Sequence, residues 1–206
     1  MRIRCKVCGI TRIEDAQAAA RFGADAIGLV FVARSSRSVT VDQARAISTS
    51  VPPFVNRVAL FMNPDADQVR RVLEEVAIDQ IQFHGSETAD FCRQFGRPWI
   101  KALALNNGAS EGFDAYRDAD AILLDTHAGQ AMGGSGETFD WSQIPPLPRP
   151  LILAGGLTPD NVGEACRLSR PAAVDVSSGV ECRPGIKSDS LMQRFINSID
   201  EVNGNG

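Results

Sequence analysis

Short apolar runs recur along the chain, separated by stretches whose apolar positions follow a helical period. The runs at 2–8 (RIRCKVC), 25–31 (DAIGLVF), 56–62 (NRVALFM), 78–84 (IDQIQFH), 99–105 (WIKALAL), 120–126 (DAILLDT), 150–156 (PLILAGG) and 172–178 (AAVDVSS) read as strands. Between them, 11–25, 40–48, 63–76, 87–95, 158–169 and 188–200 read as helices. In 11–25 a threonine precedes an early acidic pair, an alanine-rich body and a terminal glycine; Thr11 is the expected N-cap. In TPDN (158–161), Pro159 falls at the expected first helical position behind Thr158. Strands alternating with helices predict parallel β/α units, and eight strands are the number that closes a (β/α)8 TIM barrel. An open, doubly wound sheet is the competing architecture.

One connection breaks the rhythm. Residues 126–149 are rich in glycine and proline, with a weak helical pattern only around FDWSQI. A loop this long inside a compact domain is expected to be functional, and an active-site loop accounts for it.

Length and composition narrow the field without naming a chemistry. The 206 residues fit one compact domain spanning 1–206, and 44% hydrophobic with 22% charged residues is ordinary for a globular protein. A net charge of −4 with scattered basic residues provides no stripe for nucleic acid. No stretch reaches the ~20 apolar residues of a membrane span, and the charged start MRIRCKVC is unlike a signal peptide. A cytoplasmic protein with reduced cysteines is expected, and five cysteines suit a disulfide framework poorly.

Cys5 and Cys8 form a C-x-x-C spacing that can mean a redox pair, half a metal site, or two unrelated residues. Strand alternation favours the last reading, since residues three apart point to opposite faces. Ile3, Cys5 and Val7 then face the helices, while Arg4, Lys6 and Cys8 face the barrel interior and its mouth. No second C-x-x-C or histidine pair completes a zinc site, His84 and His127 being the only histidines. Cys5 reads as a core residue. Cys8 ends the first strand, at the rim where barrel enzymes place their chemistry.

Other strand ends add polar groups to that rim. In 78–84 the polar face comprises Gln80, Gln82 and His84, which suits a barrel lining or a substrate contact. Lys101 reads as a further inward charge. Asp125 and Asp175 close or interrupt apolar strands, as an acid, a base or a structural carboxylate would. Gly155 and Gly156 follow the seventh strand, and Ser177, Ser178 and Gly179 follow the eighth. Loops in those two positions commonly bind phosphate through backbone N–H groups, so a phosphorylated small-molecule ligand is expected. Arg37, in the loop after the second strand, has the guanidinium geometry that grips a carboxylate.

Taken together, the sequence resembles the phosphoribosylanthranilate isomerases of tryptophan biosynthesis. The resemblance is carried by KVCGIT (6–11), GADAIGLVF (23–31) with SSR (35–37), PPFVNRVALF (52–61), IQFHG (81–85), ILLDT (122–126), GGSGETFDW (133–141), LAGGLTPDNV (153–162), AVDVSSGVE (173–181) and PGIK (184–187). Ser188 stands where that pattern has an acidic residue, and Cys5 is outside it. The resemblance implies an Amadori rearrangement of an aminoaldose to a ketose, with Asp125 as general acid and Cys8 as general base. It implies phosphate held at Gly155, Gly156, Ser178 and Gly179, the anthranilate carboxylate met by Arg37, and substrate contacts from Asp175 and His84. It implies a monomer needing no metal or organic cofactor, since the substrate's own nitrogen forms the iminium electron sink. The same phosphate loops would serve other phosphosugar enzymes on this barrel or a non-catalytic phospholigand sensor. The Cys8–Asp125 pairing separates the isomerase from the other enzymes, and loss of turnover on mutating Asp125 would separate it from a sensor.

Overall fold

Residues 2–104, 112–125, 141 and 144–204 are described by a computed structural model. Eight parallel strands lie where the apolar runs predict them: β1 (Arg4–Cys8), β2 (Ala26–Val30), β3 (Asn56–Phe61), β4 (Gln80–Phe83), β5 (Trp99–Ala104), β6 (Ala121–Asp125), β7 (Leu151–Leu153) and β8 (Ala173–Val176). They form a ring in chain order, and β1 pairs with both β2 and β8, which excludes the open sheet. Helices α1 (Ile13–Phe22), α2 (Val41–Ser50), α3 (Ala66–Glu75), α4 (Ala89–Arg93), α5 (Val162–Ser169) and α6 (Asp189–Gly204) connect or follow the strands. A short 3-10 turn, Phe113–Tyr116, precedes β6. After β8 the chain makes a second 3-10 turn, Ser178–Val180, and a small antiparallel hairpin of β9 (Glu181–Arg183) and β10 (Ile186–Lys187). Most of the 126–149 connection, with His127, lies outside the described residues.

Strand alternation sorts the side chains into two compartments. Outward residues such as Cys5, Val7, Ile27, Leu29, Phe61, Ile81 and Phe83 join the helices in one apolar layer. Each such side chain, fully buried, stabilises the fold by roughly 1.5–3 kcal/mol. Inside the ring, Ile100, Ala102, Ala121, Leu123, Ile152 and Ala154 fill the β5–β7 half with apolar groups. The other half of the interior is polar, because Lys6, Gln82 and Asp175 are buried there. Cys5 therefore belongs to the outer layer and Cys8 to the interior, as the alternation predicts. All cysteines are free thiols.

Aspartates stitch the strand starts together. Asp25, Asp79 and Asp120 each stand one residue before β2, β4 and β6. Each accepts a backbone N–H from the preceding strand: Asp25 from Cys5 at 2.9 Å, Asp79 from Arg57 at 2.9 Å and Asp120 from Trp99 at 2.7 Å. They satisfy donors that the staggered ring leaves without a ladder partner. From outside, Asn203 at the end of α6 accepts from Ile3 N at 2.8 Å and donates to Ile3 O at 3.1 Å.

Two helix starts differ from expectation. Thr40 forms the full capping box with Gln43 that its sequence suggests. Thr11, however, does not cap α1, whose N-cap is Arg12. Its hydroxyl donates instead to Gly185 O of the hairpin at 2.5 Å. Pro159 is not at a first helical position, because α5 begins only at Val162. The Asn161 side chain holds TPDN as a turn, accepting from Thr158 N at 2.7 Å and donating to Gly156 O at 3.0 Å. Ser188, in place of an acidic residue, accepts at 3.4 Å from Leu191 N at the start of α6, a task either residue type performs.

Lys101 corrects a further expectation, since it points outward. It pairs in register with Phe83 of the outer layer, and its ammonium donates to Gly85 O at 2.5 Å and Glu87 Oε2 at 2.7 Å. Glu87 also accepts from Asn63 N and Gly85 N, so one buried carboxylate ties together the loops after β3 and β4. Removing one partner of such a pair leaves an uncompensated buried charge. Lys101→Met is expected to lower unfolding free energy by about 3–5 kcal/mol in urea titrations. A loss below about 1 kcal/mol, the value of an exposed pair, would contradict this role.

Candidate active site

Parallel strands place all their carboxyl ends at one rim. Cys8 is the last residue of β1 and Asp125 the last of β6, and both fall on inward positions. His84 follows β4 on the same inward face, and its Nε2 lies 3.6 Å from Asp125 Oδ2. Gln82 Nε2 sits 3.1 Å from His84 Nδ1. Drawn as a donor, that amide leaves Nδ1 bare and Nε2–H directed at Asp125.

Across the β1–β8 seam, Lys6 donates to Asp175 Oδ1 at 2.8 Å with both side chains buried. Burial disfavours the Lys6 ammonium, but Asp175 and Cys8 together more than restore it, so its pKa lies above the ordinary value. Burial pushes the Cys8 thiol up against the opposing pull of Lys6; Asp175 adds to the rise, and Lys187 more weakly opposes it. Space for this cluster comes from β2. A Cβ on Gly28 would lie 2.6 Å from Cys8 Sγ and 3.1 Å from Lys6 Nζ.

The two phosphate-type loops lie side by side at the same rim. Gly155 and Gly156 take left-handed backbone conformations, with φ of 85° and 63°, which glycine adopts without strain. Gly179 has a different reason to be glycine: a Cβ there would fall on the carbonyl oxygen of Leu157. The two loops are thus in backbone contact, which fixes Ser178 and Gly179 against the turn after Gly156.

Arg37 reaches the rim from the loop after β2. Its Nε and Nη2 donate to Glu181 Oε1 and Oε2, each at 2.8 Å. Lys187 Nζ donates to the same Oε1 at 2.8 Å and to Ser177 O at 3.0 Å. Sequence reasoning missed Glu181, Lys187 and Gly28 as site residues. The first two stand in the quoted stretches VSSGVE and PGIK, but nothing in the sequence shows that a hairpin folds them back over the mouth. The structure therefore gathers Cys8, Asp125, His84, Arg37 and both glycine loops at one rim, with Asp175 deeper in the ring against Lys6.

Fold and rim together define a (β/α)8 barrel with a cluster of ionisable side chains and two glycine loops at the carboxyl ends of its strands. The family model described as N-(5'phosphoribosyl)anthranilate (PRA) isomerase matches residues 5–198. An N-(5'-phosphoribosyl)anthranilate isomerase from Pseudomonas fluorescens (strain Pf0-1) is 52% identical over 200 residues, covering 96% of this chain and 98% of that protein. The crystal structure of phosphoribosyl anthranilate isomerase from Thermotoga maritima superposes with a TM-score of 0.87 at 38% identity, covering 97% of this chain and 99% of that one. A crystal structure of phosphoribosyl anthranilate isomerase in complex with reduced 1-(o-carboxyphenylamino)-1-deoxyribulose 5-phosphate gives a TM-score of 0.84 at 38% identity, covering 97% of this chain and 99% of that one. The chain belongs to the phosphoribosylanthranilate isomerase family.

Gly28→Ala tests the packing around Cys8. A new methyl must displace the thiol or the Lys6 ammonium, at about 1–3 kcal/mol of stability. The variant is expected to keep its far-ultraviolet circular dichroism and lose at least about tenfold in kcat, since small misplacements of reacting groups cost that much or more. Wild-type kcat would show that Cys8 and Lys6 need no such clearance.

Proposed function

We propose that Asp125 and Cys8 are the general acid and general base of the isomerisation of N-(5'-phosphoribosyl)anthranilate to 1-(2-carboxyphenylamino)-1-deoxyribulose 5-phosphate, the family's step in tryptophan biosynthesis. The observation that carries the reading is the arrival of a thiol and a carboxyl at one rim from β1 and β6, beside two adjoining glycine loops. Asp125 protonates the furanose ring oxygen, and the substrate nitrogen pushes the ring open to an iminium. Cys8, as thiolate, removes the proton from C2′ to give an enolamine. Protonation at C1′ and loss of the O2′ proton complete the ketone. The iminium is the electron sink, so no step calls for an added cofactor.

Supporting groups follow from their positions. Backbone N–H groups at Gly155, Gly156, Ser178 and Gly179 hold the phosphate, and Arg37 meets the anthranilate carboxylate. His84 orients Asp125 and contacts substrate. Asp175 keeps Lys6 charged next to Cys8. At reference pKa values, pH 7 leaves about 3% of a cysteine as thiolate and about 0.1% of an aspartic acid protonated. Burial makes the Cys8 thiolate scarcer still, and Lys6 and Lys187 offset part of that penalty. A monomeric, single-domain catalyst is the proposed state. Among the described residues no helix is long and apolar enough to cross a membrane, and the cytoplasm is the proposed location.

Asp125→Asn keeps the side chain's shape and removes its acid. It is expected to lower turnover of freshly generated phosphoribosylanthranilate, followed by fluorescence decay, by about 10²–10⁴-fold. Binding of the reduced product analogue should stay within a few-fold of wild type. Unchanged turnover would remove Asp125 from the mechanism.

A further inference from the structure

An arginine that binds a ligand carboxylate must be held, because an untethered guanidinium samples many rotamers and stays solvated. Arg37 is held on two sides. Its aliphatic stem crosses Gly9, where a Cβ would lie 2.5 Å from Arg37 Cδ and 3.0 Å from Ser177 Oγ. Gly9 has φ of +74°, so neither space nor backbone welcomes another residue. The Nε–Nη2 edge is occupied by both oxygens of Glu181. The side chain of Glu181 is buried, and that of Lys187, entirely enclosed, donates to it from the other strand of the hairpin.

The hairpin is itself anchored. Thr11 Oγ1 donates to Gly185 O at 2.5 Å, and Lys187 N donates to Asp15 Oδ2 at 3.1 Å. Burial alone would raise the Glu181 carboxyl, yet the hydrogen bonds and charges of Arg37 and Lys187 hold it below its usual range. The group is therefore ionised throughout the neutral range. Burial lowers the pKa of the Lys187 ammonium while Glu181 opposes that fall, and with both cations charged on one carboxylate one positive charge is left unmatched. A guanidinium with its Nε–Nη2 edge occupied still presents the Nη1–Nη2 edge, which matches a second carboxylate bidentately. Among the described residues Arg37 Nη1 makes no hydrogen bond.

We propose that Glu181 is a positioning residue that fixes the free edge of Arg37 toward the anthranilate carboxylate, with Lys187 supplying the surplus charge that keeps the pair attractive to an anion. The hairpin after β8 then selects substrates bearing an ortho carboxylate on the aryl ring. This rests on the reading of Arg37 given above. It assigns a specificity role to a segment whose residues neither give nor take a proton in the reaction.

The experiment compares Kd for two reduced product analogues, the o-carboxyphenylamino compound and its phenylamino counterpart lacking the carboxylate. In Glu181→Gln the carboxylated analogue is expected to bind about 10–100-fold more weakly, the range for a charge-assisted contact, while the phenyl analogue stays within about twofold. For the natural substrate KM should rise more than kcat falls, and Glu181→Asp should recover part of the loss. If Glu181→Gln does not fold, Glu181→Gln/Lys187→Met removes both charges together and is expected to show the same selective loss. Equal weakening of both analogues, or no weakening, overturns the proposal. Arg37→Met separates the two levels. If it keeps the wild-type preference for the carboxylated analogue, the reading of Arg37 itself fails. If it loses that preference while Glu181→Gln keeps it, only the role of Glu181 fails.

Discussion

A lysine ammonium inside a β-barrel is sustainable only with a counter-charge at hydrogen-bond distance. Here Lys6 and Asp175 supply that match at 2.8 Å, across the seam where the first strand meets the last. The pair has two consequences. It links the first strand to the last at the seam that closes the ring. It also sets a fixed positive charge beside Cys8, in a place where water cannot screen it. Gly28 is the steric counterpart of this arrangement, leaving unfilled the volume that the thiol and ammonium take up.

The rest of the interior is divided to the same end. The β5–β7 half is filled with alanine, leucine and isoleucine, while polar groups are confined to the β4, β1 and β8 side and to the rim. Asp125 caps the apolar half and faces His84 from the polar one. Acid and base thus come from differently built halves of one ring. The aspartates at the opposite rim, Asp25, Asp79 and Asp120, bind backbone donors and hold the strand starts. Structure is secured at one end and chemistry is arranged at the other.

Much of this was legible in the sequence, for identifiable reasons. The eight strands announced themselves as apolar runs, and the split fate of Cys5 and Cys8 followed from strand alternation alone. The polar face of β4 was equally plain, because Gln80, Gln82 and His84 alternate with Ile81 and Phe83. Lys101 was misplaced because β5 is apolar on both faces, and periodicity cannot orient such a strand. Thr11 and TPDN look like helix starts by composition. Tertiary partners claim Thr11 for the hairpin and Asn161 for the turn after β7. Glu181 and Lys187 escaped notice because their importance arises from a hairpin folding over the mouth, a long-range event with no local signature.

The account stands on Lys6 as the group that makes Cys8 usable as a base. The direct measurement is the pH dependence of Cys8 alkylation by iodoacetamide, in a Cys182→Ser background that removes the exposed thiol. With Lys6 present, the burial-raised thiol should react progressively faster as pH climbs through the alkaline range. With Lys6→Met, the whole profile should shift to higher pH, slowing alkylation at any given pH. Superimposable profiles would show that Lys6 does not tune the thiol, and the electrostatic basis for Cys8 as the base would be lost.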